Sequence, residues 1–319
     1  METATQYAVC ISDLRIDYGS HVAVKDMNLD IPQGVIYGLV GPNGAGKTST
    51  FKALTSLLEP TNGHISINGH DIVKKRRHAQ TSIGYMPDLA PVASDLRVWE
   101  FLDLFAACHG LEGKAKKNRV NECLSLVELA DKRNDNCKSL SRGMMQRLVL
   151  AKTMLHRPSL LILDEPASGM DVRSRVSLRR ILRQVSDEGA TVMVSSHILP
   201  ELSEMCDMIG ILHHGQLLET GTVDEVMHRM TSLLPHIHLT LARPASSHWE
   251  SWLKTKPKVK DVHVHSSLST SFVYEGDNTE LSNLLMEAMQ SDHPICRVTE
   301  KRHSLEQILM ELEEEEYSR

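Results

Sequence analysis

The stretch that decides the fold is Gly41-Pro42-Asn43-Gly44-Ala45-Gly46-Lys47-Thr48, which fits the pattern G-x-x-x-x-G-K-[ST] at every fixed position. The apolar run 35–40 before it predicts a buried strand, and the run 48–54 after it predicts the start of a helix. Strand, glycine-rich loop and helix in this order are typical of a phosphate-binding loop, because glycines let backbone N–H groups converge on a phosphate. The helix N-terminus adds a partial positive charge, Lys47 can reach the β- and γ-phosphates, and the Thr48 hydroxyl can ligate Mg²⁺.

Length and composition indicate the number of domains, the kind of partner and the cellular compartment. A chain of 319 residues predicts one large domain and a smaller one. The net charge of −6 argues against nucleic acid as the main partner. No apolar run approaches the ~18 residues of a membrane span, and the first residues lack the features of a signal peptide. The six cysteines form no C-x-x-C pair, which predicts free thiols in a reducing cytoplasm.

Two acidic residues end a second buried strand. The apolar run 160–163 is followed by Asp164 and Glu165, and the carboxyl ends of parallel strands are where α/β sheets place their ligands. One acid can hold Mg²⁺, directly or through water, while the next acts as a base toward water. A further buried strand, 191–195, ends at Ser196 and His197, so we expect His197 to lie in the same layer.

The other segments predict the framework around these strands. Strands are expected at 7–17, 22–31 and 64–67, and a strand at 82–86 leads into the loop at Asp88. Residues 97–129 have helical periodicity, Ser141 is a good N-cap for a helix to about residue 156, and 172–188 predicts another helix. The basic run 74–77 is either a solvated helix face or a contact for nucleic acid or lipid headgroups.

Five motifs in a fixed order give the sequence a specific resemblance. They are the phosphate loop, the loop at Asp88, the segment beginning at Leu140, the acidic strand with residues 168–171 after it, and His197. From about residue 7 to 230 the chain resembles the nucleotide-binding subunit of an ATP-binding cassette (ABC) transporter. The resemblance implies an α/β phosphate-loop NTPase with a RecA-like core, an antiparallel β subdomain and an α-helical subdomain at about 89–158. A small C-terminal α+β domain would follow this cassette of residues 1–230.

The resemblance also implies site residues and the cofactors ATP and Mg²⁺. Glu165 would polarise the attacking water and His197 would contact the γ-phosphate. Asp164 and Thr48 would support Mg²⁺. Tyr18, at a predicted turn, would stack the adenine, although a turn aromatic is the alternative. The loop residues that would hold the phosphates are Gly41, Pro42, Asn43, Gly44, Ala45, Gly46, Lys47, Thr48 and Ser49.

The signature segment departs from the family's usual LSGGQ. Arg142 replaces a glycine and Met144 replaces the glutamine, and the form LSRGM-x-QR resembles a type-2 exporter branch. By resemblance, this segment would cap the ATP held by a second copy of the subunit in a head-to-tail dimer, and Asp171 would join the two halves. The segment consists of Leu140, Ser141, Arg142, Gly143 and Met144.

Asp88 occupies the position where the family usually has glutamine. It follows a strand that ends near the phosphate loop, and Pro87 favours an extended backbone before it. A carboxylate is a harder Mg²⁺ ligand than an amide, so we expect Asp88 to act through Mg²⁺. The alternative is a solvent-facing loop acid.

Residues 235–319 predict a separate accessory domain. Strand and helix patterns in the order βαββαβ suggest a ferredoxin-like sandwich. The histidine pairs 236/238 and 263/265 could bind metal only if their strands were neighbours, and in this sandwich they are not. Residues 304–309 resemble the SLEEVF close of the same exporter branch, and the acidic segment 311–316 predicts an exposed helix end.

These expectations combine into one leading function. The chain would be an ATPase subunit that powers export through a separate multi-span permease, and it would be cytoplasmic and peripheral on the inner face of the membrane. A soluble ABC ATPase acting on ribosomes or nucleic acid is the alternative, and a regulatory module that binds ATP without turnover is a third possibility. No nucleic acid partner is expected.

Overall fold

The computed structural model describes residues 6–89, 91–231, 236–291 and 293–301. It divides the chain into two compact units, residues 1–226 and 227–319. The predicted segments 304–309 and 311–316 lie outside the described residues. None of the described helices is long and apolar enough to span a bilayer.

The first unit contains both strands and helices along its whole length. Its strands are β1 Tyr7–Tyr18, β2 His21–Pro32, β3 Ile36–Val40, β4 Asn62–Ile67, β5 His70–Asp71, β6 Ile83–Met86, β7 Leu160–Leu163, β8 Thr191–Ser196, β9 Met208–His213 and β10 Gln216–Thr222. Its helices are α1 Lys47–Leu54, α2 Arg76–Ser82, α3 Val98–Cys108, α4 Gly113–Leu126, α5 Arg142–Thr153, α6 Val172–Asp187, α7 Leu199–Ser203 and α8 Val223–Thr231, which contains the boundary between the units.

Two sheets organise this unit. An antiparallel sheet has the strand order β2-β1-β4-β5, and a six-stranded sheet has the order β10-β9-β3-β8-β7-β6. The larger sheet is parallel from β9 to β6, and β10 is antiparallel to β9. Every residue of β3, β7 and β8 is buried, because a parallel sheet is covered on both faces and its strands are correspondingly apolar. The ends of β3, β7 and β8 therefore lie side by side.

One hydrophobic core joins the two sheets. It includes Val9 and Ile31 from the antiparallel sheet, Tyr37 and Ile162 from the parallel sheet, and Phe51 from α1. Helix α1 is thus fixed at the end of β3, and this packing holds the intervening loop 41–46 in place.

The helical segments differ in detail from the sequence prediction. The continuous helical pattern 97–129 forms two helices, α3 and α4, since Gly110 with φ +75° follows the end of α3. Helix α5 begins after Ser141, whose side chain accepts a hydrogen bond from the Met144 N–H. The helix ends at Thr153, short of the predicted residue 156. The basic run 74–77 is exposed, and only its second half lies in α2.

The second unit has the element order β11 His236–Leu241, α9 Trp249–Lys254, β12 Val259–Ser266, β13 Ser269–Tyr274, α10 Asn278–Gln290 and β14 Ile295–Lys301. Its antiparallel sheet has the order β12-β13-β11-β14. Trp249 and Phe272 are fully buried in its core. Strand β13 separates β11 from β12, although the rings of His238 and His265 stack across it with centroids 5.5 Å apart. Within the described ranges, no group of three or more His, Cys, Asp or Glu side chains could hold a metal ion.

Candidate active site

The phosphate loop connects β3 to α1, and two of its glycines are required by close packing. Gly46 has φ +106°, and a Cβ there would overlap the Ala23 carbonyl oxygen. A Cβ on Gly41 would overlap the Leu212 carbonyl oxygen. Since only glycine fits both places, the backbone can turn tightly before α1 begins at Lys47.

Lys47 is held at the base of this loop. Its ammonium group donates to the carbonyl oxygens of Gly41 at 2.7 Å and Pro42 at 3.1 Å, and it lies 3.5 Å from Glu165 Oε1. Only 7% of the residue is exposed. Burial lowers the pKa of Lys47, while the charge of Glu165 raises it. The three oxygen partners compensate for the buried positive charge and aim it at the loop.

Asp164 and Thr48 place two oxygen atoms next to each other. The Thr48 hydroxyl donates to Asp164 Oδ2 at 2.8 Å. Ser195, at the end of β8, donates to Asp164 Oδ1 at 2.6 Å and accepts from the Glu165 N–H at 2.9 Å. Ser195 is fully buried, and the sequence analysis missed it. Both oxygens of the Asp164 carboxylate are therefore oriented by hydroxyl donors.

Glu165 turns sharply out of β7. Its φ of +49° lies in the left-handed region, which costs of order 1–3 kcal/mol for a residue other than glycine and is frequent at functional sites. Its Oε2 lies 3.0 Å from His197 Nδ1. Glu165 thus stands between the cation of Lys47 and the imidazole of His197, at the adjacent ends of β7 and β8.

A cleft of about 290 Å³ opens over these groups. Tyr18 stands at its rim, 46% exposed, with its hydroxyl 3.5 Å from Ser49 Oγ. The predicted residues that line the cleft are Tyr18, Asn43, Gly44, Gly46, Lys47, Thr48, Ser49, Asp88 and Glu165.

The neighbourhood of Asp88 is acidic. Burial raises the pKa of the Tyr85 hydroxyl to about 12, and the charges of Asp164 and Asp88 act in the same direction. Asp88 is exposed and lines the cleft together with Thr48, which in turn contacts Asp164.

The signature segment and Asp171 do not line the cleft of their own chain. The backbone of Gly143 packs against Ser174, so closely that a Cβ there would lie 2.6 Å from Ser174 Oγ. Asp171 caps α6 by accepting from the Ser174 N–H at 2.9 Å. The structure therefore brings together the residues predicted for phosphate, metal and catalysis, and places residues 140–144 and Asp171 elsewhere on the same unit.

Comparison with known proteins places this site in a family. The family model described as ABC transporter matches residues 24–168. The bacitracin transport ATP-binding protein BcrA of Bacillus licheniformis is 37% identical over 219 residues, covering 68% of this chain and 71% of the relative. The linearmycin resistance ATP-binding protein LnrL of Bacillus subtilis is 32% identical over 213 residues, covering 67% of this chain and 68% of the relative.

Solved structures agree with these relatives. An ATP-binding subunit of an ABC transporter matches with a TM-score of 0.63 and 29% identity, covering 70% of this chain and 92% of that structure. A cassette bound to ADP and phosphate in a dimeric post-hydrolysis state, at 22% identity and a TM-score of 0.61, shows the same fold over 67% of this chain and 98% of that structure.

Fold and site together define a phosphate-loop ATPase. The chain belongs to the ABC transporter family, as an ATP-binding subunit of the type-2 exporter-like branch. The predictions of family, fold class, ATP binding, ATPase activity and a role in powering transport are confirmed. The alternative of a soluble ABC ATPase acting on ribosomes or nucleic acid is not favoured.

Proposed function

We propose that the cleft binds ATP with Mg²⁺ and that Glu165 activates the attacking water. The observation that carries this proposal is the contact of 2.8 Å between Thr48 Oγ1 and Asp164 Oδ2. Neighbouring ligands of an octahedral Mg²⁺, with bonds of about 2.0–2.1 Å, lie about 2.9 Å apart. These two oxygens therefore fit the ion, which would neutralise charge on the transferring phosphoryl group.

The chain's own residues would supply the rest of the chemistry. The loop N–H groups and Lys47 bind and orient the phosphates, and Tyr18 offers a ring for the adenine. The Glu165 carboxylate accepts a proton from water, and the nearby His197 imidazole orients that carboxylate and the γ-phosphate. In-line attack requires positioning and charge neutralisation more than covalent chemistry, so these residues are sufficient for hydrolysis.

We also propose that two copies assemble head to tail, with residues 140–144 of one copy against the ATP of the other. The location of this segment outside the cleft of its own chain supports the arrangement. A separate multi-span permease would receive the movement through the helical subdomain at about 89–158. This partner would hold the subunit on the inner face of the membrane. Relatives named for bacitracin transport and linearmycin resistance support export as the direction.

The domain limits are part of the proposal. We assign residues 1–230 to the cassette and residues 235–319 to an accessory domain with a ferredoxin-like order of elements. Every residue that lines the cleft precedes residue 166. Removal of residues 235–319 should therefore leave the Kd for ATP within about twofold of the full chain. A folded truncation that no longer binds ATP would show that this boundary is wrong.

Glu165→Gln tests the proposed chemistry. An amide cannot serve as the base, so the variant should bind ATP but hydrolyse it at least about 100-fold more slowly. It should accumulate as an ATP-bound dimer in size-exclusion chromatography with ATP and Mg²⁺. Glu59→Gln, at an exposed carboxylate away from the cleft, is the matched control and should keep wild-type turnover. Near-normal hydrolysis by Glu165→Gln would remove Glu165 from this role.

Affinity purification of the tagged full-length chain in mild detergent tests the partner. We expect a multi-span membrane protein to be recovered with it. Recovery of ribosomes or nucleic acid without a membrane protein would contradict the proposed partner.

A further inference from the structure

The first turns of α5 contact the loop that follows the candidate base in the same chain. Arg142 and Gln146 lie one turn apart on α5, so they share a face of the helix. The Gln146 amide donates to the Ser168 carbonyl oxygen at 3.0 Å. The Arg142 guanidinium donates to the Ser168 hydroxyl at 3.5 Å and covers Gly169, where a Cβ would overlap it. Two side chains thus hold one short loop.

This loop leads directly back to Glu165. The Ser168 N–H donates to the Glu165 carbonyl oxygen at 3.0 Å, which closes a turn over residues 165–168. The Met170 N–H donates to the Ala167 carbonyl at 3.1 Å. Because Glu165 has φ +49° and depends on its surroundings to stay there, a shift at Ser168 would change the direction of its carboxylate. The contact chain from α5 to Glu165 is therefore short and continuous.

The residue types at the contact fit close packing. A planar guanidinium can lie flat over a backbone and still donate from its edge, which a lysine ammonium cannot do. Gly169 has φ +67° and no Cβ, so the loop can approach the guanidinium plane. A glycine at position 142, as in the usual form of the signature, would leave this contact unmade.

We propose that Arg142 is a positioning residue that acts on its own chain. It clamps residues 168–169 against α5 and so fixes the direction of Glu165. The inference rests on the proposed function for the role of Glu165 and for the head-to-tail pairing of two copies. Through this clamp, displacement of α5 when its signature segment meets a second copy reaches the Glu165 of the same chain, and not only the ATP of the partner.

Steady-state kinetics of the full-length chain separate this role from a contact with the partner's ATP. Arg142→Gly should lower kcat by roughly 10- to 100-fold, the scale of a misplaced catalytic group, with the KM for ATP within about twofold of wild type. The kcat of Arg142→Lys should lie between those of wild type and Arg142→Gly, since this substitution keeps the charge and loses the planar contact. Lys114→Gly, which makes the same kind of change at an exposed cation in the first turn of α4, is the control and should match wild type.

A double-mutant cycle tests the contact itself. Gly169→Ala places a methyl group under the guanidinium and also strains the backbone, because φ stays positive. In the Arg142→Gly background the backbone strain at residue 169 remains, but the overlap between the new methyl group and the guanidinium is absent. Gly169→Ala should therefore reduce kcat several-fold more in the wild-type background than in Arg142→Gly. If Gly169→Ala reduced kcat by the same factor in both backgrounds, the two positions would be independent and the proposed contact would be wrong.

Two further measurements do not depend on turnover. Without nucleotide, amide hydrogen exchange in residues 167–170 should be at least about fivefold faster in Arg142→Gly than in wild type or Lys114→Gly. The second measurement uses the Glu165→Gln background. There, adding Arg142→Gly should leave the ATP concentration for half-maximal dimerisation within about twofold of the value for Glu165→Gln alone. Unchanged exchange together with weaker dimerisation would assign Arg142 to the partner's ATP and overturn the inference. If the wild-type chain hydrolysed no ATP, the proposed function would fail, while the exchange measurement would still decide the clamp.

Discussion

The Ser195 hydroxyl donates to the Asp164 carboxylate across 2.6 Å, between the ends of two adjacent parallel strands. The same oxygen accepts from the Glu165 N–H. One buried hydroxyl thus orients the carboxylate proposed to hold Mg²⁺ and the backbone of the proposed base. Its removal would affect both functions at once.

Ser195→Ala should lower stability and activity together. The substitution leaves Asp164 Oδ1 and the Glu165 N–H without this partner, and a buried polar group left unsatisfied costs about 1–3 kcal/mol. We expect a Tm lower by several degrees and a clear loss of ATPase activity. Differential scanning calorimetry and phosphate release measure the two effects. Ser203→Ala removes a hydroxyl whose hydrogen bond, to the Pro200 carbonyl, is exposed to solvent, and it serves as the control. If the two variants were equally stable, the Ser195 contact would be unimportant.

Lys47→Ala should weaken ATP binding. The substitution removes the buried cation at the base of the phosphate loop, and hydrogen bonds to charged groups contribute about 1.5–3 kcal/mol. We therefore expect the Kd for ATP, measured by calorimetry, to rise by roughly 10- to 150-fold. Lys52→Ala, at an exposed position of α1, should bind like wild type. An unchanged Kd in Lys47→Ala would contradict the assignment of the loop.

Asp88→Asn should act through Mg²⁺. The change keeps the size of the side chain and removes its charge from the cleft that Asp88 lines together with Thr48. We expect a several-fold higher Mg²⁺ concentration for half-maximal ATPase activity, with metal-free ATP binding nearly unchanged, since a carboxylate is the stronger Mg²⁺ ligand. A Mg²⁺ titration of turnover checks this, with exposed Asp95→Asn as the control. Overlapping curves for wild type and Asp88→Asn would mean that Asp88 acts only as a loop acid.

The sequence predicted those parts of the site that follow from strand ends. Asp164, Glu165 and His197 each come directly after an apolar run, and parallel strands end at one edge of a sheet, so their proximity followed from the pattern alone. The contact of Ser195 with Asp164 did not follow from the pattern, because residues 195 and 196 are both serine and the pattern does not show which one faces Asp164. The register that pairs Leu163 with Val194 puts Ser195 opposite Asp164. Register depends on packing between strands that are distant in the sequence.

The contact between Arg142 and Gly169 and the break between α3 and α4 could not be predicted from the sequence for a related reason. Arg142 and Gly169 are separated by a helix and a strand, and no local pattern links them. Likewise, residues 97–129 keep a helical period across a break, because α3 and α4 each bury apolar residues and pack against each other and against α5. Periodicity reports which residues are buried, and it does not show where the chain turns.

A half-buried histidine gives the stability of the first unit a defined pH dependence. His156 Nε2 donates to the Ile83 carbonyl at 2.9 Å, its ring stacks on His109 with centroids 4.3 Å apart, and its buried Nδ1 has no hydrogen-bond partner within the described part of the chain. Burial lowers the pKa of His156 and outweighs the hydrogen bond to the Ile83 carbonyl, which raises it; the charges of His109 and Arg119 also lower it. The folded state therefore holds His156 neutral at a pH where the unfolded chain, with a pKa of about 6.5, begins to bind a proton.

The sign of the effect follows from proton linkage. Below pH 6.5 or so the unfolded state binds more protons than the folded state, so the free energy of unfolding decreases as the pH falls. His156→Gln can keep a donor toward Ile83 and cannot be protonated, so it should lose less stability than wild type between pH 7 and about pH 5.5. Urea unfolding followed by circular dichroism at each pH measures this difference. His64→Gln, at an exposed histidine, should keep the wild-type slope. Parallel stability curves for wild type and His156→Gln would show that His156 does not set the pH dependence.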